Sequence, residues 1–318
     1  MKKLLFFTFL LFLNTSYAQN ISDGLKLFEQ KQYNQAYNLF QDLAKKGNSI
    51  AQYNLGYMYS EGLGVKENQT KAVEYFEKAA SQNHKNAQYN LAMLYYKGDK
   101  MRQDLEISKY WFEKLSLQGD KEAQYYTSLI YQKNNNKKAF YWLGKSASQD
   151  YIPAQALLAE YYINGEVIEK NYSTAYYWAD KAASQGDMIA QYYMAIMYYY
   201  GYGVEKNNSL AVSWLNKSAN NGYDKAQLFL ANFYLKGEGI EKNLKKAFEL
   251  TQSSAKTIPE AQYQLGVFYA KGTGTPVNNI KSYLSFKQSY INGLQDGFYS
   301  MKAIESILNE SEKIQLKR

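Results

Sequence analysis

Beyond residue 19 the dipeptide Ala-Gln recurs seven times, at Ala51, Ala87, Ala123, Ala154, Ala190, Ala226 and Ala261, at intervals of 36, 36, 31, 36, 36 and 35 residues. A period of this length marks a stack of identical supersecondary units, none of which can bury its apolar face without a neighbour. Five residues after each alanine stands a small residue (Gly56, Ala92, Ser128, Ala159, Ala195, Ala231, Gly266), and eight after it a tyrosine (Tyr59, Tyr95, Tyr131, Tyr162, Tyr198, Tyr234, Tyr269). Offsets 0, 4, 5 and 8 share one face of a helix, so each unit opens with an amphipathic helix whose small residue permits close approach. In six units a glycine follows eleven residues after the alanine (Gly62, Gly98, Gly165, Gly201, Gly237, Gly272), and it ends that helix. Six residues on, Asn68, Asp104, Asn171, Asn207, Asn243 and Asn278 begin a second apolar pattern as N-caps. The second helix carries Ala72, Ser108, Ala139, Ala175, Ala211, Ala247 or Ser282, followed by aromatics.

The third unit, with the 31-residue interval, lacks the glycine loop and runs through Gln132-Lys-Asn-Asn-Asn-Lys-Lys138 directly to Ala139. Pro153 and Pro259 precede the opening alanine, where a first-turn proline is tolerated. Residues 19–50 read as a shortened pair of the same kind, because Ala36 and Gly47 fall 36 residues before Ala72 and Asn83. The expected organisation is a signal peptide over 1–18, a partial repeat over 19–50, seven repeats over 51–297 and capping helices over 298–318. The signal reading rests on Lys2-Lys3, the apolar run Leu4 to Leu13 and the small-x-small end Ser16-Tyr17-Ala18. That run is half the length of a membrane span, so the chain is expected to be exported and then soluble, in the periplasm or outside the cell.

The repeat pattern, with Ala51 to Gln82 as its fullest copy, resembles the Sel-1-like repeat (SLR), a relative of the tetratricopeptide repeat. It matches in Ala, Leu-Gly, Tyr, Gly-x-Gly-Val, Asn, Lys-Ala, aromatic and Ala-Ala. The second unit departs from it with Gly98-Asp-Lys100. The resemblance implies an all-α fold, a right-handed α-solenoid of stacked antiparallel helix pairs. It further implies a scaffold that binds proteins and carries no catalytic residues, with envelope function, host interaction or immunity against a secreted effector among the family's roles.

Composition agrees with a non-enzyme. The 318 residues include no cysteine and one histidine, His84, which removes thiol chemistry and the paired imidazoles of most zinc and copper sites. No cofactor and no metal is expected. His84 sits in the polar connection Ser81-Gln-Asn-His84 and reads as a solvated loop residue. Trp111, Trp142, Trp178 and Trp214 occupy one repeated slot and read as core, and the glutamine after each alanine reads as a structural hydrogen-bonding ladder. The net charge of +8 is spread along the chain, and acidic residues are interleaved, so nucleic acid is not the expected partner.

By analogy with tetratricopeptide arrays, the residues two, six, nine and ten after each alanine should line a concave face. Its candidates are Tyr53, Tyr89, Tyr96, Lys97, Tyr125, Lys133, Tyr192, Tyr199, Tyr200, Lys236, Tyr263 and Lys271. Tyrosine gives large contact area at low entropic cost, and rim lysines would steer an acidic protein or peptide. The alternatives are tyrosines stacking on sugar rings, as in a peptidoglycan or glycan binder, and tyrosines that only fill gaps between adjacent first helices.

Overall fold

In the computed structural model, residues 20–165 and 168–316 are described, and the expected signal segment 1–18 lies outside them. Among the described residues every regular element is helical. The chain forms two compact bodies, the first ending at Ser146 and the second beginning at Ala147. The first contains α1 (20–29), α2 (Tyr33–Lys45), α3 (Ser49–Glu61), α4 (Gln69–Ser81), α5 (Lys85–Lys97), α6 (Leu105–Leu117) and α7 (Lys121–Tyr131), and it closes on α8 (Asn136–Ala147). The second contains α9 (Ile152–Asn164), α10 (Tyr172–Ala183), α11 (Met188–Tyr200), α12 (Asn208–Asn220) and α13 (Asp224–Lys236). It continues with α14 (Leu244–Ser254), α15 (Pro259–Lys271), α16 (Asn279–Ile291), α17 (Asp296–Ile307) and α18 (Glu310–Leu316). Within each body the two helices of a repeat pack on each other, and the second packs on the first helix of the next repeat, as α3–α4–α5 and α11–α12–α13 do. The fold class is therefore the expected one, all-α with stacked antiparallel helix pairs.

The turns are made as the sequence dictates. Gly62, Gly98, Gly165, Gly201, Gly237 and Gly272 each take the left-handed conformation at the end of a first helix. Six residues later the side chains of Asn68, Asp104, Asn171, Asn207, Asn243 and Asn278 accept backbone N–H bonds as N-caps. The backbone N–H of each of these caps also donates to the carbonyl of the tyrosine eight residues after the alanine, at 2.8 to 3.0 Å. The recurrent tyrosine thus ties the loop to its helix through its backbone. In the third repeat α7 runs on into Gln132 without a left-handed residue, and Asn135 caps α8 by accepting from the Lys138 N–H at 3.1 Å.

His84 departs from its expected place. It is the N-cap of α5, with Nδ1 accepting the Ala87 N–H at 3.3 Å, and its ring stacks on Tyr53 at 4.7 Å. It is half-buried, and burial lowers its pKa below the usual 6.5. The connection looked polar because a histidine can do what Asn48, Asp120 and Asp187 do at the same point of other repeats.

The small slot is filled as expected. At Gly56 an added Cβ would stand 2.6 Å from the ring of Phe76, and at Gly266 it would stand 2.7 Å from Phe286. Elsewhere Ala195 shares a core cluster with Leu215, and Ala159 shares one with Ala179, all fully buried.

Two further devices join successive repeats. The glutamine ladder is present in all seven: Gln52, Gln88, Gln124, Gln155, Gln191, Gln227 and Gln262 each donate Nε2 to a carbonyl at the end of the preceding second helix, at 2.8 to 3.4 Å. In four repeats the Oε1 atom then accepts an amide from a residue thirty places on: Gln82 to Gln52, Gln185 to Gln155, Asn221 to Gln191 and Asn292 to Gln262. The second device is the second glycine of the Gly-x-Gly loop. Gly64, Gly203, Gly239 and Gly274 have φ of 67° to 71°, and a Cβ there would meet the first turn of the preceding second helix, at Tyr33, Tyr172, Asn208 and Leu244. In the second repeat Lys100 holds that place, and its Nζ reaches back to the Ser60 carbonyl at 3.1 Å and to Glu61 and Glu67 at 3.5 and 3.6 Å.

Candidate functional site

Within each body grooves run between the first helices of successive repeats. In the first body there are two. One, of about 240 Å³, lies between α3, α5 and the start of α7 and is lined by Tyr53, Lys85, Tyr89, Asn90 and Glu122. The other, of about 230 Å³, lies between the C-terminal halves of α3 and α5 and is lined by Tyr57, Glu61, Asn90, Met93, Lys97 and Lys100. Asn90 lines both, so the two grooves adjoin at this residue. In the second body a groove of about 390 Å³ between α11, α13 and α15 is lined by Tyr192, Leu228, Phe229, Asn232 and Glu260.

Most of the candidate tyrosines have one side in the seam between repeats. Tyr53 stacks on His84, and Tyr89 meets Tyr126 edge-on at 6.5 Å and donates to the Glu122 carboxylate. Tyr192 packs on Tyr223 and Phe229, Tyr96 on Phe112 and Tyr126, and Tyr199 on Phe229 and Phe233. Tyr125 touches Tyr126, while Tyr263 packs on Phe286 and accepts from Ser300 Oγ at 3.3 Å. All of these are half-buried, whereas Tyr200 is 55% exposed. Most of the ladder therefore packs against neighbouring helices, and of its members Tyr53, Tyr89 and Tyr192 also line the grooves described above.

The lysines divide similarly. Lys97, Lys133, Lys236 and Lys271 are exposed; Lys236 pairs with Glu238 at 3.6 Å, and Lys97 alone of the four lines a groove. Many other lysines are occupied with rings. Lys71, Lys138, Lys246 and Lys281 lie 4.8 to 5.4 Å from the recurrent tyrosines Tyr59, Tyr131, Tyr234 and Tyr269. Lys114, Lys181 and Lys217 lie over Trp111, Trp178 and Trp214. Such cation–π contacts cover half-buried rings with charge and favour solubility of an aromatic-rich surface.

Several hydroxyls are held firmly protonated. Burial, followed by the Glu160 carboxylate, pushes Tyr193 far above the ordinary phenol value, and burial pushes Tyr223 up to about 12. These groups act as neutral hydrogen-bond donors. No cluster of three or more histidine, cysteine, aspartate or glutamate side chains suited to a metal ion occurs among the described residues. No helix there is long and apolar enough to cross a membrane.

Asn90, Met93, Lys85 and Glu122 were absent from the twelve sequence candidates. Asn90 stands three residues after its alanine, and that offset holds Asn54, Asn90, Tyr126, Leu157, Tyr193, Phe229 and Gln264 in the seven repeats. Such variation is the signal that a position does not serve the common packing.

The Sel1 repeat profile matches residues 49–84, 85–120, 122–151, 152–187, 189–223, 224–256 and 259–284. Among solved structures, a protective antigen of uropathogenic Escherichia coli displaying an SLR fold is 31% identical with a TM-score of 0.80. That likeness covers 90% of this chain but 62% of the antigen's, so this chain spans less than two thirds of its relative's length. A Sel1 repeat protein from Oxalobacter formigenes is 26% identical with a TM-score of 0.74, over 93% of this chain and 91% of its own. No curated protein sequence matches the chain.

Proposed function

The chain belongs to the Sel1 repeat family, a non-catalytic family of protein-interaction scaffolds, and from that premise we propose that it is an exported scaffold holding a protein or peptide on the face of its first helices. The observation that carries this reading is the pair of grooves that adjoin at Asn90, which offer aromatic edges from Tyr53, Tyr57 and Tyr89, an amide, and the charge of Lys97. Groups of this kind, a rigid aromatic flank with adaptable polar centres, are what peptide and protein interfaces are built from. Lys85 and Lys97 against Glu61 and Glu122 make the groove mixed in charge, so its occupant pairs with both signs. Export rests on residues 1–18, and likeness to a protective antigen supports exposure at the envelope.

Replacing Tyr57, Asn90 and Lys97 together with alanine should release a crosslinked partner while the helical circular dichroism is unchanged. Retention of the partner by that folded variant would remove the groove from consideration.

A second reading is favoured by one feature of the other body. Tyr200 stacks on Tyr202 at 5.2 Å, and Tyr202 stacks on Tyr172 at 4.4 Å, which leaves the exposed ring of Tyr200 at the end of an aromatic pile. Such a ring suits the apolar face of a sugar. Sedimentation with purified peptidoglycan, lost in Tyr200→Ala, would support glycan binding, and no sedimentation at low salt would end it.

A further inference from the structure

The joints between repeats are not all made alike. In the second body three successive loops seat a glycine on the main chain of the preceding second helix: Gly203 at Tyr172, Gly239 at Asn208 and Gly274 at Leu244. Such a joint has no side chain to move and no charge to screen. In the first body Gly64 makes the same contact at Tyr33, but the next two repeats lack the glycine. Lys100 stands in its place in the second repeat, and the third has no such loop.

Side chains carry these two joints instead. Lys100 Nζ crosses from the second repeat to the first, donating to the Ser60 carbonyl at 3.1 Å and pairing with Glu61 and Glu67 at 3.5 and 3.6 Å. Gln69 Nε2, at the start of α4, donates to the same carbonyl at 3.0 Å and to Glu67 at 2.9 Å, so one polar network spans the joint. At the following joint the Tyr131 hydroxyl on α7 donates to the Glu113 carboxylate on α6. The Lys100 network lies open to water, with the lysine side chain 37% and that of Glu61 45% exposed. Ion pairs of this exposure are weakened by salt and change partners readily. Glu61 and Lys100 also line the groove between the C-terminal halves of α3 and α5.

We propose that Lys100 is an adjustable strut, which sets the spacing of the first and second repeats and with it the width of that groove. A charged occupant competes for Glu61 or for Lys100 and frees the joint as the groove fills, so the groove fits itself to what it holds. The groove of the second body crosses joints seated on Gly239 and Gly274 and keeps a fixed width. Adjustment to an occupant rests on this groove being the partner's site, whereas the strut can be tested on the free chain, so the two fail separately.

The chain has no cysteine, so introduced pairs carry spin labels without further change. Lys66→Cys with Arg102→Cys spans the joint held by Lys100, and Glu205→Cys with Glu241→Cys spans the equivalent joint seated on Gly239; all four positions are exposed. Raising salt from about 0.01 M to about 1 M shortens the screening length from about 30 Å to about 3 Å. The distance distribution of the first pair should then broaden, and that of the second should stay as it was. Lys100→Met, which keeps the chain length and drops the charge, should give the broad distribution already at low salt. A first-pair distribution that salt leaves unchanged, equal broadening of both pairs, or a folded Lys100→Met that matches the unaltered chain at low salt would overturn the proposal. Should Lys100→Met fail to fold, the salt series with the lysine in place decides the matter.

Discussion

At Gly274 the contact between repeats is made by backbone. Its φ is +69°, and a Cβ would stand 2.1 Å from the Leu244 carbonyl oxygen. Gly274→Ala therefore combines a left-handed alanine with a clash against atoms that cannot rotate away, a loss of roughly 2 to 4 kcal/mol. Gly47, at φ +87° with nothing within 4 Å of the added carbon, supplies the comparison: Gly47→Ala should cost only the conformational part, roughly 1 to 2 kcal/mol. Denaturant midpoints of the two variants measure the difference, and equal losses would show that the Gly-x-Gly contact does not matter. The first glycine of that loop was legible as a helix end because the rule is local. The second was not, because its reason lies about thirty residues upstream, in the first turn of another repeat's helix. The glutamine ladder was legible from recurrence alone, whereas its partners, carbonyls seven or eight residues earlier, became visible only with the helices in place.

Among the described helices α5 alone is capped by an imidazole. Neutral Nδ1 accepts the Ala87 N–H, and a protonated ring has no lone pair there with which to do so. Burial holds the folded pKa of His84 below 6.5, so as pH falls the unfolded chain takes up the proton first. Stability is thus full above about pH 6.5 and declines as pH drops towards the folded pKa. His84→Asn keeps an acceptor at the cap and should flatten the profile between pH 7 and 5; an unchanged profile would mean that other groups govern it. As the sole histidine, His84 gives one imidazole resonance whose midpoint reports the folded pKa directly. The same element explains why the tyrosine ladder was only half legible. Offset two places Tyr53 on the seam, where its ring serves the stack on His84 and its edge serves the groove, and a helical wheel cannot apportion one side chain between two faces.

At the scale of the molecule, each repeat touches mainly its sequence neighbours, so stability within a body is a sum of local and nearest-neighbour contributions. Protection should then follow burial along the chain. In the second body α11 buries six residues and α18 buries none. Amide hydrogen exchange should release α18 first and α11 last, and uniform protection would instead indicate a single cooperative block. The seven-fold register and the all-α architecture were readable from spacing because the same few contacts recur. The grooves were not, since they are lined by residues at offsets that vary from repeat to repeat.

The backbone-on-backbone seat of the Gly-x-Gly loop also bears on how such a chain can change over generations. Where the distance between neighbours is set by glycine resting on main chain, side chains facing the solvent take no part in holding that distance. They are free to drift, and whole repeats can be duplicated or lost at the loops, without disturbing the spacing of those that remain. The third repeat is short at its loop and keeps both helices.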